Sequence, residues 1–480
     1  MLLGFFASAS EREHMSSVDT AWLRMERPYN LMMISGVMIF NERLDFNNLC
    51  KTLETRFLKH KRFKQRVVQQ SSGFYWETDP HFELSSHVRR IGLPGLAGKE
   101  ELQYLVSDML STPLDFSKPL WQFHLVEDYK GGSAIILRIH HCYADGIALI
   151  HVLLSMTDKS PSAFIDTSPR KHKLGVIDKS ADEVHGGIFK YLFDPIGGAV
   201  NSAVKTGRDF VEEGVEIVRH PYETIGYARQ GAALASEAAK LALMPNDPQT
   251  RFKGQPGVAK CVAWAEPLSL MEVKAVGKVL GCSINDVLLS SVAGALRDYL
   301  VEKGDPVNNE LAIRVTVPVN LRSLEKIENL GNVFGLVMLT LPIGIENPLE
   351  RLEEVRKRME ELKSSYQATL ALGLLGALGF GPKILQASVI RILTQKATAV
   401  MTNVPGPPQP LYFAGARIAE QMFWVPQTET IGMGVSILSY NEHVHFGLVT
   451  DKKLVGDPQT IVSRFAGEFE KLLLLTIMDP

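Results

Sequence analysis

The residues best placed to do chemistry lie together in one short stretch, "LRIHHCYADGIALI" (137–150). His140 and His141 are adjacent, Asp145 follows four residues after the second, and Gly146 comes next. An imidazole with an unperturbed pKa of about 6.5 can take a proton from a hydroxyl at neutral pH. Imidazoles and carboxylates are also metal ligands. Cys142 beside His141 offers a thiol nucleophile with an adjacent base. A fourth reading is architectural: a satisfied histidine, followed by an aspartate that caps a helix.

The flanking elements narrow these readings. "SAIILRI" (133–139) reads as a buried strand, and "GIALIHVLLSM" (146–156) as the helix after it. Side chains alternate along a strand, so His140 and His141 cannot do the same job. One faces a cleft and the other faces packed protein. The same alternation turns Cys142 away from His141. No other His, Cys or carboxylate group shows ligand spacing, so no metal and no tightly bound cofactor is expected. Asp145 stands where the helix begins and can cap its free N–H groups. Gly146 allows close packing or an unusual backbone angle. The stretch thus describes a strand-to-helix turn that displays one imidazole at a sheet edge. A lone general base and a structural histidine both fit it.

The whole chain has 480 residues, which suggests two domains. Hydrophobic residues at 45% and charged residues at 22% are globular values. A formal net charge of −2 gives no electrostatic reason to expect nucleic acid. Cys50, Cys142, Cys261 and Cys282 are scattered, as reduced thiols of a cytoplasmic protein would be. The opening "MLLGFFASASEREHM" has a short apolar run, no basic residue ahead of it and Glu11 directly after it, which disfavours an export signal. The longest apolar stretch, "LALGLLGALGFGP" (370–382), is shorter than the roughly 20 residues of a spanning helix and is broken by glycines. It fits a surface lying on a membrane, the lining of a greasy tunnel, or a buried helix pair.

Strand-like and helical pieces alternate through the first part of the chain, with strands at "SGVMIF" and "LWQFHLVE" and helices at "FNNLCKTLETRFLKHK" and "KEELQYLVSDML". Between about 157 and 253 charge, Gly, Ser and Pro rise and no strand pattern is evident. The alternation resumes from Val262, with helices at 269–281, 284–304, 347–365 and 458–475 and strands at 311–320, 333–342, 434–440 and 443–450. The expected organisation is an N-terminal α/β domain over 15–157, a helical and partly mobile linker over 158–253, and a C-terminal α/β domain over 254–480.

"HHCYADG" fits the pattern H-H-x-x-x-D-G of the CoA-dependent acyltransferase superfamily. Further blocks narrow the resemblance. "SSVDTAWLRME", "PLDFSKPLWQFHLVE" with Pro119-Leu120-Trp121, "SINDVLLSSVAGALRDYL" with Asn285-Asp286, "VPVNLR", "LGNVFG", "TNVPGP" and "GVSILSYNEHVHFGLVTD" follow in order. From Met15 onward the chain resembles the bacterial wax ester synthase/diacylglycerol acyltransferase family.

The resemblance implies two chloramphenicol-acetyltransferase-like domains, each a mixed β-sheet with helices, joined by a helical linker. The active-site channel would lie at their interface. His141 would be the general base, with His140 structural, shaping the channel, or taking a direct part in proton transfer as a second catalytic histidine. Asn285 would supply an oxyanion donor or else cap the helix after it. Asp145 would pair with Arg322 across the interface, unless Arg322 is a surface cation. Gly146 and Asp286 would be structural, and Pro119-Leu120-Trp121 and "NVPGP" would be architecture.

The implied activity is transfer of a long acyl chain from acyl-CoA, a co-substrate, to a fatty alcohol or a diacylglycerol, with no acyl-enzyme. Such an enzyme would be cytoplasmic and peripheral to the inner membrane or lipid droplets, as a monomer or homodimer. Two rivals are a non-catalytic lipid-binding protein of the same fold, and an acyltransferase acting on amines or polyketide-like alcohols. The intact motif residues disfavour the first rival, and the Asn-Asp and Pro-Leu-Trp blocks the second.

Overall fold

The computed structural model describes residues 12–161, 236, 240–241, 243–320, 330–363, 367, 370–371, 373–374 and 383–478. Two seven-stranded mixed sheets dominate. The first runs Val88–Ile91, Trp121–Tyr129, Gly132–His140, Met33–Phe40, Ala416–Trp424, Tyr412–Phe413, Thr157–Asp158. The second runs His443–Asp451, Met433–Tyr440, Ala399–Pro405, Ile313–Asn320, Phe334–Leu341, with Lys260–Trp264 and Leu268–Ser269 both paired to His443–Asp451. A small third sheet joins Arg12–His14, Gly73–Thr78 and Gln65–Gln70.

Most of the expected elements form. The helix expected at "KEELQYLVSDML" is Lys99–Leu110, and the strand at "SAIILRI" is Gly132–His140. The helix at "INDVLLSSVAGALRDYLVEKG" is Ile284–Glu302. One boundary does not hold as drawn. Tyr412–Phe413 and Ala416–Trp424 fall within 254–480, the expected C-terminal unit, yet they complete the first sheet. The Trp424 end of the second of these strands lies against Ser35 of Met33–Phe40. Most of the expected linker, 158–253, lies outside the described residues.

The Gly132–His140 strand carries the motif, and all nine of its residues are buried. Ile135, Leu137 and Ile139 belong to one core cluster, while Ala134 and Ile136 belong to another on the opposite face. That is the two-residue period of a strand covered on both sides. The Lys99–Leu110 helix supplies Leu102, Val106 and Met109 to the second cluster. Buried Arg138, on that face, donates to the carbonyls of Met109 and Thr112 and so closes the helix C-terminus. The strand is joined to Trp121–Tyr129 by a tight hairpin. Lys130 and Gly131 both take positive φ there, 50° and 82°, as a type I′ turn requires.

Candidate active site

Pro119-Leu120-Trp121 locks the end of the motif strand. His140 N donates to the Leu120 carbonyl at 2.9 Å, and Leu120 N donates to the Tyr143 hydroxyl at 3.0 Å. Trp121 is fully buried, and its indole N–H donates to the Phe63 carbonyl at 2.7 Å. The block is architecture, as expected from the resemblance.

His140 and His141 part company as alternation requires. His140 is fully buried, its Nδ1 accepts from Cys142 N at 3.1 Å, and its Nε2 lies 3.4 Å from the Glu26 carboxylate. It is not on the wall of the cavity described below. His141 is 5% exposed and lies on that wall. Its ring stacks on Trp22, with centroids 4.0 Å apart and planes 13° apart, and Phe334 lies 5.7 Å away on another side. Burial lowers the His141 pKa to about 4, against a smaller raising effect of Asp145. The imidazole is therefore neutral at pH 7 and able to accept a proton. Cys142 is buried, and burial raises its thiol pKa well above the usual value, so it is a poor nucleophile.

Asp145 caps the Gly146–Ser155 helix: Oδ1 accepts from Ala148 N at 2.9 Å. Its Oδ2 accepts from Val333 N at 2.9 Å, and its own N–H donates to the Gly331 carbonyl at 3.1 Å. One carboxylate thus ties the motif turn to the segment that enters the second sheet. Its expected partner Arg322 lies outside the described residues. Replacing Asp145 by Asn leaves one of the two backbone donors facing an NH₂ group. A buried donor without an acceptor costs about 1–3 kcal/mol, and that is the stability loss expected for Asp145→Asn in urea denaturation.

Gly146 departs from expectation. Its backbone is not in a left-handed conformation, and a Cβ built on it meets nothing within 4 Å. Neither close packing nor an unusual backbone angle demands glycine here. Gly146 instead lies on the cavity wall, where a missing side chain leaves room.

The cavity has a volume of about 390 Å³ and lies between the two large sheets. Its wall is overwhelmingly aliphatic, from Met38, Leu137, Ile150, Leu336, Ile390 and Leu438 among others. Leu370, Ala371 and Leu374 also line it, so the start of the apolar run 370–382 faces the cavity. Residues 372 and 375–382 lie outside the described residues.

Asn285 is not on that wall. The N-cap of its helix is Ser283, whose Oγ accepts from Asp286 N at 3.2 Å, while Asp286 Oδ2 accepts from Ser283 N at 2.8 Å. Asp286 is thus half of a capping box, and Asn285 is not the cap. Its side-chain oxygen accepts from Asn403 Nδ2. Asn403, from the "NVPGP" block expected to be architecture alone, is on the cavity wall. The sequence signal for it was an amide in a quoted block. Asn332 of "LGNVFG" was likewise quoted without a role, and it contacts the His141 carbonyl.

Burial also fixes how acid acts on the fold. His124, His141 and His445 are each lowered to about 4 by desolvation. Between pH 6.5 and 4 the unfolded chain binds protons at these sites that the native protein refuses, so stability falls on acidification. Asp19 acts oppositely: burial raises it to about 6, so the native state gains a proton there between pH 6 and 3.8. Burial also lowers His87, which adds to the histidine side, and raises Asp247 and Glu420, which add to the carboxylate side. Urea midpoints at pH 7.5, 6 and 5 should therefore fall less steeply than four buried histidines alone would make them, and Asp19→Asn, which removes one opposing carboxylate, should steepen the fall.

Among the described residues no three His, Cys, Asp or Glu side chains gather as a metal site. No single helix there is long and apolar enough to cross a membrane.

Comparison with known proteins gives a consistent result. A family model described as the wax ester synthase/diacylglycerol acyltransferase catalytic domain matches residues 15–288, and one described as the C-terminal domain of that family matches 330–473. A Mycobacterium tuberculosis chain named probable diacylglycerol O-acyltransferase is 28% identical over 455 residues, covering 92% of each chain. Among solved structures, the wax ester synthase/diacylglycerol acyltransferase from Marinobacter aquaeolei VT8 is similar in fold. Its TM-score is 0.66 at 20% identity, over 97% of this chain and 100% of that one. The first condensation domain of the calcium-dependent antibiotic synthetase is also similar, with a TM-score of 0.60 at 16% identity over 97% of both chains.

Proposed function

We propose how the site works from one premise: the chain belongs to the wax ester synthase/diacylglycerol acyltransferase family, and is an O-acyltransferase of neutral-lipid synthesis that takes acyl-CoA and an acceptor lipid. His141 is the general base. The acceptor hydroxyl lies in the apolar cavity and gives its proton to Nε2, since Nδ1 is the buried edge of the ring. The developing alkoxide attacks the thioester carbonyl. The tetrahedral intermediate collapses with loss of the C–S bond, and the imidazolium returns the proton to the CoA thiolate. Acyl-CoA and alcohol become ester and free CoA thiol in one ternary complex, with no acyl-enzyme and no further cofactor.

The observation that carries this reading is a neutral imidazole on the wall of an aliphatic cavity, with no usable nucleophile beside it. The oxyanion donor is Asn403 on that wall, with Asn285 holding its amide. The acceptor is a fatty alcohol or a diacylglycerol. Because both partition into lipid, the enzyme works in the cytoplasm at the surface of the inner membrane or of lipid droplets. Release of CoA thiol from palmitoyl-CoA with hexadecanol, with diacylglycerol, with a fatty amine and with no acceptor tests the reading. Release with either of the first two, and not with the others, supports it. No release with any acceptor indicates a lipid-binding protein.

Gly146 gives a second handle on the same cavity. A side chain there projects into open space, so Gly146→Val should fold normally. It should lower turnover with bulky diacylglycerol more than with unbranched hexadecanol. Equal loss with both acceptors would place the acceptor path elsewhere.

A further inference from the structure

The chain segment 331–333 grips the motif turn at three places. Gly331 O accepts from Asp145 N at 3.1 Å, Val333 N donates to Asp145 Oδ2 at 2.9 Å, and Asn332 Nδ2 donates to the His141 carbonyl at 2.9 Å. Asn332 Nδ2 also donates to Asp19 Oδ1 at 2.7 Å. Asp19 sits in the Ser17–Met25 helix, three residues before Trp22, which stacks on the His141 ring. Asp19, Asn332 and His141 are all buried.

These contacts fix the Asn332 amide. A carbonyl oxygen can only accept, so the end bonded to the His141 carbonyl must be the NH₂ group. The remaining end is Oδ1, buried without a hydrogen-bond partner, and His141 Nδ1 is also buried without one. We propose that Asn332 is the positioning residue of the catalytic imidazole: anchored on Asp19, it turns Oδ1 toward the Nδ1 edge of His141, which keeps the ring proton on Nδ1 and the lone pair of Nε2 on the cavity side. The inference rests on His141 being the base. Interactions that favour the protonated ring, from its own backbone and, more weakly, from the Asn332 side chain, agree with a proton held on Nδ1. The remaining charged or titratable neighbours are Asp145 and His140 at His141, and Arg62, Asp145 and Cys142 at Asp19.

The test compares Asn332→Ala, Asp19→Asn and His141→Ala in the full chain, each checked for folding by circular dichroism. Asn332→Ala should lower kcat about 100-fold, the scale of a misplaced reacting group, and leave KM for palmitoyl-CoA within about threefold. It should also move the acid limb of the kcat/KM profile to lower pH, because a contact that favours imidazolium is gone. Asp19→Asn keeps the shape of the side chain but lets the Asn332 amide turn over. It should move the limb the same way by less, and it decides the matter if Asn332→Ala does not fold. A folded variant whose limb does not move overturns the proposal even if turnover falls, since a merely structural loss lowers turnover without moving the limb. If His141→Ala retains turnover, the general-base reading fails and this inference with it. If His141→Ala is inactive while Asn332→Ala and Asp19→Asn match the parent, only the positioning role fails.

Discussion

His141→Ala should lower turnover by about 100- to 10,000-fold while the protein stays folded, the range expected when a general base is removed. The ring is half of a stack with Trp22, and deleting it opens a void that borders the cavity. The fold should survive because the turn is held through backbone contacts that do not use the imidazole. His141 N donates to the Met32 carbonyl at 2.7 Å, and the His141 carbonyl accepts from Asn332. His140→Ala makes the contrast. It removes a buried ring that accepts from Cys142 N and approaches Glu26, so its cost should appear first as lost stability. Turnover per folded molecule compares the two. Equal losses would mean that strand alternation does not separate their roles.

The second large effect is expected at Asn403. A preorganised donor aimed at a developing oxyanion contributes about 100- to 1,000-fold to kcat, so Asn403→Ala should lose that much with little change in KM. Asn285→Ala should lose less, because Asn285 is off the cavity wall and acts through the amide it accepts from. The double variant should then resemble Asn403→Ala alone, as expected for two residues that act as a unit. Losses that multiply in the double variant would show that the two amides work independently.

The sequence made the motif strand and its turn legible because the signals there are local. The short run from Ser133 to Ile139, rich in isoleucine and preceded by glycines, reads as a covered strand, and the two-residue period then separates His140 from His141. Asp145 as a helix cap followed from residue type and position. The other half of the site is assembled over long sequence distances, and no local period reports it. Asn332 meets Asp19 across 313 residues and His141 across 191. Ala416–Trp424 joins a sheet whose other long strands come from the first 140 residues. Asn285 illustrates the limit of propensity, for asparagine is a strong cap, but Ser283 two residues earlier takes that place in a capping box with Asp286. Gly146 shows the opposite failure. A Cβ there would meet nothing within 4 Å and Gly146 lies on the cavity wall, features that backbone preferences cannot report.

Direct transfer by a lone base is tested most sharply by looking for a covalent intermediate. The enzyme is mixed with radiolabelled palmitoyl-CoA without acceptor, quenched in acid, and examined for protein-bound label. Initial rates are then measured over a grid of palmitoyl-CoA and hexadecanol concentrations. A ternary complex predicts no bound label and double-reciprocal lines that intersect. Stoichiometric label with parallel lines is the signature of an acyl-enzyme, and would contradict the assignment of His141 as a base acting on the acceptor hydroxyl.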